Sequence, residues 1–255
     1  RMISPPWSIR IPMGVISLTL AMLCAGRLAE AASPPLRIAV DVGHSIAAPG
    51  AMSARGRVEH EFNRELAREI VDALEEIDVK AFLVGDRGDM DQLMQRVHAA
   101  ARADLLISVH HDSVQPKFLQ TWKWGGVDRH FSDRNAGFSL FVSRKNPGIG
   151  QSLACASGVG AALQRAGFNR SLYHAEPIPG ESKPFADRAN GVHFFDNLVV
   201  LRHSRMPALL LEAGVIVNRD EELALEAPHL QKRMARAVAE GLSACVRSWG
   251  SGKGK

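Results

Sequence analysis

Residues 36–44, Leu-Arg-Ile-Ala-Val-Asp-Val-Gly-His, constrain this chain more than any other stretch. Ile38, Val40 and Val42 are β-branched and lie in a nearly continuous apolar run, the pattern of a strand covered on both faces as in a parallel sheet. Gly43 lets the chain turn sharply, which leaves His44 at the strand's carboxyl end. In open α/β sheets that edge is where ligands bind. Any chemistry here is expected among side chains that can meet His44.

Two further buried runs also end in a polar residue. Residues 104–110 read as a strand ending in His110, and residues 208–212, opened by Pro207, as a leucine-rich strand ending in Glu212. Phe62, Leu66, Ile70, Ala73, Leu74 and Ile77 recur at steps of three and four, predicting a helix over 59–77 with one apolar face. The remaining pattern predicts strands at 79–84, 138–142 and 198–201, and helices at 90–102, 151–166 and 229–246, with a short helix capped at 218–220. Residues 113–136 and 169–197 read as irregular, the second a candidate for substrate contact or a lid. Strands alternating with helices, without an internal repeat, predict a single α/β domain with a mostly parallel sheet flanked by helices.

The chain has 255 residues, 46% hydrophobic and 23% charged, enough for one sizeable core. Arg1 and Arg10 precede an apolar run at 11–25, and Ala29-Glu30-Ala31 fits a small-x-small cleavage pattern. A secretory signal peptide over 1–32 is expected, followed by a catalytic domain over 33–249 and a disordered tail over 250–255. Leu23 precedes Cys24 where a lipoprotein signal requires a small residue, so no lipidation is expected, and no stable membrane insertion after cleavage. This leaves Cys155 and Cys245, which can pair in an oxidising compartment or serve as small buried hydrophobes. The net charge of +4 is mild, and no basic block with interleaved aromatics points to nucleic acid.

In a mostly parallel sheet His44, His110 and Glu212 share one edge although the sequence separates them widely. The first helix opens onto the same edge, and Glu59 and Glu61 compete for it. Glu59 lies three residues before Phe62 and seven before Leu66, on the buried face, whereas Glu61 shares its side with Glu65, Arg68 and Asp72. Glu59 is therefore the expected partner. Two imidazoles and a carboxylate suit Zn2+ in a catalytic site that keeps a fourth position open. A non-ligating Glu212 can then take a proton from water and return it to a leaving amine. Spacing alone leaves the alternative open, in which the histidines are satisfied edge residues and Glu212 an ion-pair partner.

The same stretches resemble the zinc-dependent N-acetylmuramoyl-L-alanine amidases of the amidase 3 family. Asp41-Val42-Gly43-His44 with Pro49-Gly50-Ala51 is similar to the family's Gly-His opening, and Gly56-Arg57-Val58-Glu59 with Ala67 to its glutamate-ligand segment. Residues 103–110 are similar to the Ala-Asp-Leu, Ser-Ile-His segment, and residues 207–214 with Asn218 and Glu221 or Glu222 to the stretch carrying the catalytic glutamate. The resemblance runs in order over residues 37–242. It implies a six-stranded sheet, His44, Glu59 and His110 as zinc ligands, and Glu212 as general base and acid. It implies cleavage of the amide between N-acetylmuramic acid and L-alanine of peptidoglycan, which places the protein in the periplasm or outside the cell.

Departures from the family pattern are Ser45 after His44, and His111 after His110, where a small residue is usual. His111 is therefore an extra candidate ligand or substrate contact, but adjacent strand residues point to opposite faces, so a solvent-facing neighbour is the expectation. Residues 122–197 match poorly, which leaves substrate preference and any regulatory helix open. Trp122 and Trp124 can stack on sugar or peptide, or cover the core. Arg144, Arg170, Arg188 and Arg202 can bind stem-peptide carboxylates, although isolated arginines are usually surface residues. His98, His130, His174, His193, His203 and His229 have no convergent partner in the sequence. No separate wall-binding domain accompanies the catalytic one, so targeting is expected from the domain itself or from a partner such as a protein activator. The rival readings are a zinc peptidase cutting within the stem peptide and a catalytically silent peptidoglycan-binding module of the same fold.

Overall fold

The computed structural model describes residues 36–251. The expected leader at 1–32 and the last four residues of the expected tail lie outside that range. Strand β1 (Arg37–Val42), helix α1 (Glu59–Glu75), β2 (Lys80–Val84), α2 (Leu93–Ala99) and β3 (Leu105–Asp112) follow the pattern expected from periodicity. After them come β4 (Gln120–Trp124), β5 (Val127–Phe131), β6 (Ser139–Val142), α3 (Ile149–Arg165), β7 (Phe185–Asp187) and β8 (Val192–Phe194). The chain closes with α4 (Val199–His203), β9 (Ala208–Val215), α5 (Arg219–Glu226) and α6 (Pro228–Ser251). Helix α6 therefore takes in Gly250 and Ser251, the first two residues of the expected tail.

Seven strands form one sheet in the order β2-β1-β3-β9-β6-β8-β7, against the six that the resemblance implied. Strands β2, β1, β3 and β9 are parallel, while β6 runs antiparallel to β9 and β7 antiparallel to β8. Strand alternation divides the core cleanly between the two faces. Ile38, Val40, Leu105, Ile107, Leu209 and Leu211 meet Phe62 and Leu66 of α1, Val159 and Leu163 of α3, and Val238 and Leu242 of α6. Ala39, Leu106, Leu210 and Phe141 meet Val97 of α2 and Leu201 of α4 on the other face. Each fully buried leucine or isoleucine contributes about 1.5–3 kcal/mol. Cys155 of α3 and Cys245 of α6 form a disulfide, which closes the alternative left open by the sequence.

Three expectations are corrected. Residues 198–201 are not a strand: 199–203 form helix α4, because β9 already has β3 on one edge and β6 on the other, leaving no place in the sheet beside it. A short apolar run does not by itself separate strand from buried helix. Residues 113–136 are not wholly irregular, since β4 and β5 pair as a hairpin around Gly125-Gly126, whose positive φ angles of 59° and 81° suit a two-residue turn. Residues 169–197 contribute β7 and β8, three residues each and too short to show a period. No helix among the described residues is long and apolar enough to cross a membrane.

Candidate metal centre

Adjacent parallel strands bring the ends of β1, β3 and β9 to one edge, and His110 is the direct register partner of Glu212. His44 follows β1 with φ 67°, a left-handed backbone that costs a non-glycine residue about 1–3 kcal/mol. What holds it there is Arg96 of α2, which donates to the carbonyls of Val42 and His44 and pairs with Asp41 at 2.7 Å. Arg96 and Asp41 are both fully buried, and Ser108 donates to the second oxygen of Asp41 at 2.6 Å.

Glu59 reaches the same point from the first turn of α1. The loop before the helix satisfies its free N–H groups, Glu59 N bonding Ala51 O at 2.8 Å and His60 N bonding Pro49 O at 3.0 Å. That docking carries the carboxylate into the site. Glu59 Oε2 lies 3.0 Å from His44 Nε2, and Oε1 lies 3.0 Å from His110 Nδ1. Further bonds fix its plane: Ala51 N donates to Oε2 at 3.0 Å, Asn63 Nδ2 to Oε1 at 3.2 Å and His111 N to Oε1 at 3.3 Å. Burial works against this charge, yet the hydrogen bonds from His110 and His44 outweigh it and hold Glu59 well below the usual carboxylate range. The His44 imidazole moves the opposite way, its burial overcome by the bond to Glu59.

The ligand atoms of His44, Glu59 and His110 all lie within 4.8 Å of one another. Two glycines make the space. A Cβ at Gly43 would stand 2.4 Å from His110 Nε2, and one at Gly50 2.4 Å from Glu59 Oε2. Two nitrogen donors and one carboxylate, fixed from outside by backbone and amide groups, fit a divalent cation such as zinc with a coordination position to spare.

Glu212 stands beside this group without belonging to it. Its Oε2 is buried and has no hydrogen-bond partner. Burial, then the charges of Asp112 and Glu59, raise its carboxyl well above the usual range. An orphaned acid beside a three-donor cluster is what a proton carrier needs, because a bound cation would favour its charged form. A cavity of about 230 Å3 opens next to His44 and His110, walled by Met90, Leu93 and Leu198.

The sequence candidates thus converge at all four positions, His44, Glu59, His110 and Glu212. His111 does not face solvent as expected. It is buried on the opposite face of the sheet, where Nδ1 lies 2.8 Å from Asn63 Oδ1, and burial lowers its imidazole to about 3. Trp122 and Trp124 stack on one another in the hairpin, with Arg55 over both rings. Arg144 pairs with Asp196, Arg170 bonds Gln164, Arg188 lies over Phe185 and Arg202 bonds His203. His174, without a partner in the sequence reading, joins Asp112 at 2.8 Å and Glu181 at 2.8 Å. Asn63 was the one missed residue with a local signal, standing four positions after Glu59 on the same helical face. Arg96 and His174 gave none, since His44, which Arg96 clamps, and Asp112, which His174 meets, lie 52 and 62 residues away.

The N-acetylmuramoyl-L-alanine amidase AmiC2 of Nostoc punctiforme superposes with a TM-score of 0.61 at 23% identity, covering 83% of this chain and 97% of that one. The catalytic domain of CwlV from Bacillus (Paenibacillus) polymyxa gives 0.63 at 24%, over 83% and 98%. An N-acetylmuramoyl-L-alanine amidase from Clostridium difficile 630 gives 0.65 at 21%, over 85% and 99%. At these identities the likeness is one of fold. No curated protein matches the sequence. The model of the N-acetylmuramoyl-L-alanine amidase family Amidase_3 matches residues 38–244, and the chain belongs to that family.

Proposed function

We propose that this chain is a zinc-dependent peptidoglycan hydrolase that cleaves the amide between N-acetylmuramic acid and L-alanine of the stem peptide. The observation that carries the reading is the His44, Glu59 and His110 cluster with the orphaned Glu212 carboxyl beside it. His44 Nε2, His110 Nδ1 and the Glu59 carboxylate would hold the ion. A zinc ion bound there supplies Lewis acidity, which polarises a carbonyl and lowers the pKa of water. Glu212 takes the proton from the attacking water as the carbon–oxygen bond forms. The same carboxyl then returns it to the alanine nitrogen as the carbon–nitrogen bond breaks. Asn63 and the backbone N–H groups of Ala51 and His111 keep Glu59 oriented through the cycle.

The substrate lies outside the cytoplasmic membrane, so we assign the protein to the periplasm or the extracellular space. The Cys155–Cys245 disulfide supports an oxidising compartment. Residues 1–32 would be the signal peptide and 33–249 the catalytic domain.

Zinc content and peptide release from purified sacculi, measured for wild type, Glu212→Gln and His110→Ala, test this reading. Zinc lost in His110→Ala and kept in Glu212→Gln, with release abolished in both, is the expected result. Mass spectrometry must find a free L-alanine amine on the released peptide. Cleavage within the stem peptide would make the chain a peptidase, and a folded wild type without zinc would sink the mechanism.

A further inference from the structure

The proposed chemistry occupies one face of the sheet, and a second space lies on the other. A cavity of about 430 Å3 is bounded by α1, α5, α6 and the segments leading into β6 and out of α3. Leu66, Phe138, Phe168, Leu225, Leu230 and Met234 give it an apolar wall. An apolar cavity of about 150 Å3 already holds a benzene-sized ligand, so this one admits a substituted ring.

Several of its polar groups already have partners. Glu221 accepts from Gly137 N at 2.7 Å and from Val215 N at 2.8 Å, one bond to each oxygen. Gln231 Nε2 donates to Leu225 O at 2.9 Å, and Asn169 O accepts from Phe138 N at 2.9 Å. Arg233 lies over the Phe168 ring, 5.0 Å from its centre. His111 keeps one ring nitrogen free. Asn63 Nδ2 donates to Gly43 O and Glu59 Oε1, which fixes the amide so that Oδ1 is the atom facing His111. His111 Nδ1 therefore carries the proton, and Nε2 is left as an acceptor on a ring that lines the cavity.

We propose that this cavity binds an apolar small molecule bearing one hydrogen-bond donor, of the alkylphenol class, which donates to His111 Nε2. Its occupancy is linked to the metal centre through His111, Asn63 and Glu59. The path is short: His111 bonds Asn63 through its ring and Glu59 through its backbone N–H, and Asn63 bonds Glu59 directly. A ligand that steadies His111 steadies the plane of the Glu59 carboxylate. By linkage, zinc then binds more tightly to the filled protein, and the ligand more tightly to the zinc-loaded protein. An anionic ligand lacks the proton that His111 Nε2 accepts. The linkage rests on the metal-centre reading, whereas the binding does not.

The probe is 4-propylphenol, titrated into the purified protein by thermal shift and calorimetry, with 4-propylanisole as the analogue that lacks the donor. Saturable binding to wild type is expected, at least fivefold weaker for the anisole. Ala224→Phe and Leu230→Trp each fill the cavity from a half-buried wall position, and circular dichroism reports whether each folds. Both should weaken the phenol at least tenfold. Saturating phenol should tighten zinc binding at least twofold in wild type and leave it unchanged in Ala224→Phe. Undiminished binding in the filled, folded variants, equal binding of the anisole, or tighter binding of 4-propylbenzoate would overturn the ligand assignment. An unmoved zinc affinity would overturn the linkage. Protein that binds the phenol but no zinc would leave the cavity standing and remove the amidase mechanism instead.

Discussion

Asn63 stands one helical turn after Glu59, and its amide divides its two ends between them: Nδ2 donates to Glu59 Oε1 at 3.2 Å while Oδ1 holds His111 Nδ1 at 2.8 Å. One buried side chain thus connects the metal-binding face of β3 to the opposite face. Replacing it should reach the metal without touching it. Asn63→Ala is expected to weaken zinc affinity about 10- to 100-fold with the secondary structure intact, read by competition with a chromophoric chelator. Unchanged affinity would mean that Ala51 and the His111 backbone suffice to orient Glu59.

Glu212 makes an opposite pair of demands on stability and activity. Its Oε2 is buried without a hydrogen-bond partner, and burial with the charges of Asp112 and Glu59 raises the carboxyl. In metal-free protein Glu212→Gln should therefore be neutral or raise the melting temperature, most clearly near neutral pH, where the wild-type group is pressed to bind a proton. The same variant should lose about 10²–10⁴-fold in peptide release once zinc is restored. A destabilised metal-free variant would mean that Glu212 has a partner the geometry does not reveal.

Arg96 and Asp41 form a pair with almost no solvent access, 2% and 1% exposed. Removing one partner strands the other charge. Arg96→Met should cost about 3–5 kcal/mol in urea unfolding, and the further change Asp41→Asn should restore part of it. The backbone of His44 loses its clamp in either case, so zinc affinity should fall in both variants.

His174 offers a pH test away from the metal ligands themselves. Burial lowers its pKa, but Asp112 and Glu181 raise it by more, to about 9, while Glu181 falls to about 2 against burial through His174, Gln115 and Lys183. A raised histidine stabilises the fold fully below its unfolded pKa near 6.5 and loses that contribution as pH climbs through 9. The Glu181 contribution is full above about 4.5 and is lost as pH falls towards 2. The contribution of this pair should thus be greatest between about pH 4.5 and 6.5. His174→Gln should flatten the alkaline decline, which is worth up to about 3 kcal/mol. Denaturant melts of both proteins at pH 6 and pH 10 measure the difference.

The disulfide joins residues 90 apart and staples α3 to α6. Cys155→Ser with Cys245→Ser should lower stability by about 2–4 kcal/mol, seen as an earlier denaturation midpoint. Zinc stoichiometry should be unaffected, because neither helix supplies a ligand.

The convergence of His44, Glu59, His110 and Glu212 was legible in the sequence because its signals are local. A β-branched run ending in Gly43-His44, another ending in His110 and a leucine run ending in Glu212 each declare a strand and its terminal residue. Parallel topology then brings those ends to one edge. Glu59 was separable from Glu61 because helical spacing alone decides which carboxylate shares a face with Phe62 and Leu66. The tertiary structure decided whatever depends on partners distant in sequence. The register that sets His110 against Glu212, the clamp of Arg96 on β1 and the meeting of His174 with Asp112 all arise from contacts across 50 or more residues, or between strands whose pairing no period records. Residues 199–203 became helical because both edges of β9 were taken, and β8 formed on three residues against the free edge of β6, with β7 pairing onto β8. Side-chain alternation could be read one strand at a time, and it put His111 opposite His110. Only packing determined that this opposite face is buried, with Asn63 on one side of the ring and a cavity on the other.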